Sequence, residues 1–392
     1  MSQNFHNQIA SLSINHFNNL PKKGKPNINE WTVLSCIVQE NKLRNHFEVV
    51  ALGTGSKCIG KGKMSPKGDI LNDSHAEVIC RRAFLCYIYK ELSYRNLDLF
   101  NFDLSKCSLS EDVRFHFFTS HVPCGDAAIF LKQNSNEFGE VVSLKRCIED
   151  DVVNVKRCKV DGDDIYRTGA KCLPQGQVQD LHGNGVEYHT LGVVRTKPGR
   201  GDPTLSVSCS DKLARWCHIG LQGALLTRIL SNPIYLSSFT IVGDTPFNEE
   251  SLRRALYGRL NIEKPPIEMV LGQASVPFKF CKTESNIPSP TSIVWFKSKT
   301  SSLEVSVDGF KQGVTKKDRG TKAARLRISK IELFRTYLNT VKVLFSDVRC
   351  DDFYDETKTK AVEYQRAWSM LKKEGFKCWT IKDENLQHFT LD

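Results

Sequence analysis

The sequence has no long apolar run. No stretch approaches the roughly 18 residues that a membrane-spanning helix requires, so no span and no membrane partner are expected. The opening stretch, MSQNFHNQIASLSINHF, has neither the basic start nor the apolar core of a secretory signal. The chain is therefore expected in the cytoplasm, the nucleus or both. It also lacks any C-x-x-C pair, and its 14 cysteines follow no regular spacing. In a reducing compartment that pattern argues against a disulfide framework and for free core thiols, a few of which can serve as metal ligands. Internal repeats, low-complexity tracts and a clear interdomain linker are missing as well. One elaborated domain over residues 1–392 is expected. Acid is in short supply: 44 Asp and Glu stand against 55 Lys and Arg, a net charge of +11. That balance favours a polyanionic partner without naming one. Hydrophobic residues make up 40% of the chain, which supports a packed core and excludes a disordered class.

What is present begins with an amphipathic segment, Phe5 to Leu20, with Ile9, Leu12, Ile14 and Phe17 inward. Residues 1–30 read as an N-terminal helical extension. Trp31 to Val38 and Phe47 to Leu52 have strand composition and suggest a hairpin. A Gly- and Lys-rich loop follows, with Lys57, Lys61 and Lys63; it lacks the spacing of a phosphate-binding P-loop, so it is either a solvated turn or a nucleic-acid contact. Val113 to Val122 reads as a strand with aromatics on both faces, running into Pro123-Cys124 and an expected helix. Residues 135–165 look like an acidic surface insertion. Lys212 to Leu230 reads as one long helix after the cap-type Ser210 and Asp211. Ile234 to Gly243 reads as a strand, Glu249 to Leu260 as helical, and Ile293–Phe296 with Leu303–Val307 as a strand pair. Arg319 to Thr340 reads as a basic helix or two, and Tyr354 to Gly375 as a charged helix. Alternating strands and helices make the fold class α/β, with a layered sheet.

The stretch NDSHAEVICRRAFLCYIYKEL, from Asn72 to Leu92, carries the chemistry. Asn72, Asp73 and Ser74 are cap-type residues, and the apolar spacing after them wants one buried helical face. His75 and Glu77 are two apart and can serve one centre only at the helix mouth, because residues two apart on a helix do not face each other. Cys124 and Cys209 both sit just ahead of expected helices, where backbone N–H groups favour a thiolate. One His and two Cys suffice for a catalytic zinc with an open fourth position. Glu77 would then be the proton shuttle. Zinc-dependent nucleobase deaminases use this arrangement, with H-x-E followed by P-C-x-x-C. Here Ala127 stands at the second cysteine of that pattern. The third ligand must come from elsewhere, and Cys209 is chosen for its setting among twelve competitors.

Three stretches together resemble a family. Asp73-Ser74-His75-Ala76-Glu77, Pro123-Cys124-Gly125-Asp126 and Ser208-Cys209-Ser210-Asp211-Lys212-Leu213-Ala214-Arg215-Trp216 are similar to the adenosine deaminases acting on RNA. Gln222-Gly223-Ala224-Leu225-Leu226 and Pro233-Ile234-Tyr235 continue the likeness. The resemblance implies a cytidine-deaminase-like three-layer sheet with helices on both faces and an elaborated C-terminal part. Arg167-Thr168-Gly169-Ala170-Lys171-Cys172-Leu173-Pro174 is similar to the short loop of the tRNA-specific members. No double-stranded-RNA-binding domain precedes the expected deaminase fold. What is implied is hydrolytic deamination of adenosine to inosine in a tRNA anticodon loop, at the adenosine immediately 3′ of the anticodon of alanine tRNA. His75, Cys124 and Cys209 are then the zinc ligands and Glu77 the catalytic acid/base.

The resemblance also implies a buried inositol hexakisphosphate. The matching positions are Asn72, Arg81, Arg82, Lys212, Arg215, Trp216, Gln222, Lys330, Tyr354, Lys358, Tyr364, Trp379 and Lys382, with a relay from Asp73 through Lys212 and Gln222. Trp368 stands where the family carries a Lys, and Gln387 where it carries an acid. Arg81 and Arg82 are awkward on a helix bound for a core, and a buried polyphosphate would supply the pairing they need; surface RNA contact is the alternative. Lys57, Lys61 and Lys63 are candidate tRNA contacts, and no obligate protein partner is evident. Competing readings are a messenger-type RNA editor, an inactive RNA-binding homologue and an inositol-phosphate scaffold. Glu77 argues against the last two.

Overall fold

The computed structural model describes residues 2–130, 170–173, 180, 189–198, 202–260, 262, 265–283, 285–300, 303–345 and 353–391. The acidic insertion and Arg167, Thr168, Gly169 and Pro174 of the loop motif lie outside them. The centre is an eight-stranded mixed sheet. Its strands, in chain order, are β1 (Leu34–Asn41), β2 (His46–Thr54), β5 (Val113–Thr119), β6 (Ser238–Ile241), β7 (Val270–Gln273), β8 (Thr291–Phe296), β9 (Glu304–Val307) and β10 (Phe310–Lys311). Two short strands, β3 (Ser56–Cys58) and β4 (Asp73–His75), form a separate antiparallel pair. Across the main sheet the order is β7-β6-β5-β1-β2-β8-β9-β10. The β5, β6 and β7 side is parallel and the rest antiparallel.

Alternation along β1 divides the core into two layers. Leu34, Cys36 and Val38 face helix α1 (Gln3–Asn19), whose Ile9, Ala10, Ile14 and Phe17 are buried against them. Ile37 faces the opposite layer, with Phe115 and Phe117 of β5. A bulge lies opposite the Ile37/Val38 step: Ile37 pairs with Ala51 and Val38 with Val49. The extra residue lets consecutive Val50 and Ala51 both join the second layer. That layer is built on α2 (Ala76–Ser93). It is apolar on nearly every side, because the sheet lies on one side of it and α6 (Lys330–Leu344) also packs against it. One buried face, as the spacing suggests, is therefore an underestimate: Val78, Ile79, Ala83, Phe84, Leu85, Tyr87, Ile88 and Tyr89 are all buried. The α/β layering is as expected.

Five helix expectations need correction. Residues 209–230 form α3 (Cys209–Ile219) and α4 (Gly223–Thr227), broken at Gly220, whose φ of 80° ends the first helix. The charged C-terminal segment likewise divides into α7 (Tyr354–Thr359) and α8 (Val362–Glu374). Glu249–Leu260 begins as α5 (Glu249–Arg253) and continues as a π turn. After Pro123 only a 3-10 turn, Asp126–Ala128, follows among the described residues. Residues 319–329 are a loop with one such turn, and the helix starts at Lys330 behind its Ser329 cap. No described helix is long and apolar enough to cross a membrane.

Candidate active site

The mouth of α2 is built by backbone packing. Gly55 follows β2 at a φ of 130°, where a Cβ would meet Ser292 Oγ at 2.1 Å and Ser74 O at 2.3 Å. Only glycine fits the turn that lets β3 run beside β4, with Ser56 opposite His75. Gly55 O then accepts the Ala76 N–H at 3.0 Å, taking one donor that a helix start leaves open. Asn72, Asp73 and Ser74 do not cap α2 as their residue types suggest. His75 itself occupies the cap position and makes no side-chain cap bond. Its ring is thereby left for the site.

Cys124 and Cys209 are brought together by one serine. Ser210 Oγ lies 2.9 Å from Cys124 O and 3.1 Å from Pro123 O, and accepts the Ala127 N–H at 3.1 Å. Ser210 N–H also donates to Cys124 O at 3.0 Å. Gly125, at φ 105°, lets this loop approach; a Cβ there would meet Ser208 Oγ at 2.2 Å. Behind them, Asp211 holds the start of α3. It accepts from Ser208 Oγ at 2.6 Å, the Arg195 N–H at 3.0 Å and Arg259 Nη1 at 2.5 Å.

The result is a triangle. His75 Nδ1 lies 3.5 Å from Cys209 Sγ and 4.0 Å from Cys124 Sγ, and the Cys209 N–H donates to Cys124 Sγ at 3.3 Å. A tetrahedral zinc with ordinary Zn–N and Zn–S bonds needs N···S separations of about 3.6 Å. The three donor atoms meet that spacing and can hold a metal ion. A hydrogen bond from the Cys209 thiol holds the Cys124 thiol well below its usual pKa, whereas burial pushes Cys209 up. Glu77 is buried in the first turn of α2, and its Oε2 has no partner among the described residues. Burial raises its pKa above the usual carboxylate value. A second possible grouping, Cys58, Asp73 and His75, shares the imidazole. Asp73 is already committed: Lys197 Nζ lies 2.9 Å from Oδ2, Lys212 Nζ bonds the same oxygen, and Oδ1 accepts the His75 N–H at 3.0 Å.

Lys197 is the residue that local reading misses. It is 2% exposed. Burial opposes its charge, but Asp73 and the thiols of Cys209, Cys58 and Cys124 hold its pKa well above the ordinary value. Nothing in Thr196-Lys197-Pro198 marks it, because its partner is 124 residues away. Asp211 and Arg259 escape notice for the same reason.

A second cluster adjoins the first through Asp73 and Lys212. Desolvation, then repulsion from Lys382, Lys358 and Arg82, push Lys330 down to about 6. Desolvation, Lys212, Lys358 and Arg82 push Lys382 down to about 8. Desolvation is also the main cause that lowers Arg81 to about 10. Arg215 donates to Tyr364 Oη at 2.8 Å and lies 3.8 Å over the Trp368 ring and 5.6 Å over Trp379. Arg81 lies over Trp216 at 5.6 Å, and Lys358 over Tyr354 at 4.9 Å. Carbonyls take some of the donors: Leu221 O from Arg81, Ile328 O from Arg82 and Leu386 O from Lys330. Lys358 Nζ is 3.4 Å from Gln387 Oε1. The relay reaches Lys212 and goes no further in this geometry, because Gln222 donates to Ile219 O and accepts from Ile234 N–H. Asn72 O accepts the Ile59 N–H at 3.1 Å.

Of the candidate RNA contacts, Lys57 lies on β3, partly buried, opposite Ser74. Lys61 and Lys63 are exposed on a 3-10 turn. Asp202 and Pro203 pin that turn by accepting the N–H groups of Gly62 and Lys61, both at 2.8 Å.

Residues 51–383 match the adenosine-deaminase (editase) domain. The chain belongs to this family. It is an enzyme that deaminates adenosine. The tRNA-specific adenosine deaminase 1 of Drosophila melanogaster is 39% identical over 97% of this chain and 96% of its own length. Its Homo sapiens counterpart is 33% identical, over 97% and 99%. The double-stranded RNA-specific adenosine deaminase of Mus musculus is 30% identical over 99% of this chain but only 33% of its own length.

Proposed function

We propose that this editase deaminates adenosine to inosine hydrolytically in a tRNA anticodon loop, at adenosine 37 immediately 3′ of the anticodon of alanine tRNA. The convergence of His75, Cys124 and Cys209 beside a buried Glu77 whose Oε2 has no partner among the described residues carries the chemical part. Likeness over nearly the full length of tRNA-specific relatives supports the substrate; the site within the tRNA rests on family resemblance.

His75 Nδ1 and the two thiols would hold zinc. When bound, zinc supplies Lewis-acid activation of a water at neutral pH. Glu77, kept ready to carry a proton by its raised pKa, takes one water proton and delivers it to the ring N1, then takes the remaining proton of the added hydroxyl and delivers it to the departing amine. Oxygen adds at C6, the C6–N6 bond breaks, and water plus adenosine become inosine plus ammonia. Asp73 holds the backbone of His75 while Lys197 and Lys212 balance its charge. A loop base is already unpaired, so drawing it into the site costs less than opening a duplex.

The half-buried cations around Lys330 and Lys382 would hold inositol hexakisphosphate. Burial first, and repulsion from neighbouring cations second, depress their pKa values, and a polyphosphate supplies the missing counter-charge. Incubating purified protein with total tRNA and sequencing inosine positions tests the function. Inosine at position 37 of alanine tRNA is expected. Inosine only in duplex RNA would replace this reading with that of a double-strand editor.

A further inference from the structure

A cleft of about 460 Å³ opens between β9, β10, the turn at Lys322 and the first turns of α6. None of its lining residues belongs to the metal site or to the cation cluster around Lys330. Five are cations: Lys311, Lys322, Arg325, Arg327 and Arg335. Only two acids, Glu304 and Glu332, face them, which leaves a balance of +3 among the described lining residues. Four ion pairs join the acids to these side chains, and all four are long. Glu332 lies 3.7 Å from Arg325 Nη1 and 3.3 Å from Arg335 Nε; Glu304 lies 3.4 Å from Arg327 Nε and 3.5 Å from Lys311 Nζ. A direct charge-assisted bond would be about 2.7–2.9 Å. Arg335 Nη2 is shielded from solvent and donates to nothing among the described residues. A buried donor left in that state is costly, and an oxyanion would satisfy it.

The approach is basic too. Lys316, Lys317 and Arg319 are exposed on the segment that leads to the exposed Lys322. The acid among them, Asp318, already accepts from Thr315 Oγ1 at 2.6 Å. Two backbone bonds tie the cleft to the segment leading into His75: Leu71 N–H to Gly309 O at 3.0 Å and Ile331 N–H to Gly68 O at 3.1 Å.

We propose that this cleft is a phosphate-binding site separate from the catalytic centre, with Arg325, Arg327 and Arg335 presenting guanidinium groups to the phosphate oxygens. The group arrives either on an RNA backbone, which rests on the tRNA reading above, or on a small phosphate ester, which does not.

The test uses the full chain as purified, the double variant Lys322→Gln/Arg335→Gln, and the charge-matched control Lys22→Gln/Lys23→Gln. Binding of tRNA and of tripolyphosphate is measured across a salt series. If the source is RNA, the double variant binds tRNA roughly tenfold more weakly and its log–log salt slope falls by about 1–2, while the control changes little. If the source is a free ester, tRNA binding stays level and tripolyphosphate affinity falls by a similar factor in the double variant alone. The cleft proposal is overturned if wild type and double variant bind both probes equally. Lys322→Gln alone, at an exposed position, carries the comparison should the double variant lose its fold. Absence of inosine in every tRNA would sink the tRNA reading while leaving the tripolyphosphate comparison standing.

Discussion

Two neighbouring regions handle buried charge in opposite ways. Around His75 and Cys209 the chain brings its own counter-charges: Asp73 faces Lys197 and Lys212, and Asp211 faces Arg259, with both members of that last pair almost fully buried. Around Lys330 the chain brings cations together and leaves them repelling one another. The first region is fixed geometry, suited to holding donor atoms at metal distances before any substrate arrives. The second is an incomplete charge set, which fits a folding partner of opposite sign. Glu77 is the exception within the compensated region, a buried acid whose Oε2 has no partner among the described residues.

The largest effect should come from that exception. Glu77→Ala is expected to lower the rate of inosine formation by about 10²–10⁴-fold or more, with melting behaviour and tRNA binding close to wild type. Single-turnover kinetics measure this, and wild-type turnover would remove the shuttle role. Cys209→Ser should abolish stoichiometric zinc; unchanged metal content would mean that another thiol is the ligand.

Swapping a cation for Met in each region sharpens the contrast. Arg259→Met removes the cation that faces buried Asp211 and should cost about 3–5 kcal/mol in denaturant unfolding. Lys330→Met should instead stabilise protein stripped of polyphosphate, by something on the order of 1 kcal/mol, and destabilise protein that carries it. The same sign at both positions would erase the distinction drawn here.

Proton linkage gives a smaller, separable signal. Lys330 titrates near 6 when folded, far below a free lysine. Between that value and the unfolded pKa the unfolded chain binds the extra proton, so stripped protein should gain stability as pH rises from about 6 toward 10. Filling the cage with inositol hexakisphosphate should raise the folded pKa and flatten the slope. Thermal unfolding at several pH values checks both halves. The smallest expected effect is at the exposed turn: Lys61→Gln/Lys63→Gln should reduce the salt slope of tRNA binding by about 1–2.

Much of the fold was legible locally. The amphipathic repeat of residues 5–20 became α1, with Ile9, Ile14 and Phe17 buried. The first hairpin and the β8–β9 pair appeared where composition places them. Helix ends were harder. Asp73 has the chemistry of a cap but is drawn away by Lys197 and Lys212, so a tertiary ion pair overrides a local preference. Gly220 breaks a helix whose composition reads as continuous, because the chain must turn there at positive φ. His75, Glu77, Cys124 and Cys209 stood out through their motifs. Lys197, Asp211 and Arg259 did not, since each gains its role only from a partner far along the chain.

By itself, the sequence determined the periods, the turns and the residue types able to do the chemistry, because those follow from steric and hydrogen-bonding preferences within a few residues. Only the tertiary structure decided how closely the thiols of Cys124 and Cys209 approach the imidazole of His75, and which lysines carry balanced or unbalanced charge. Those outcomes depend on distance through space in a low-dielectric interior, and spacing along the chain does not encode that distance.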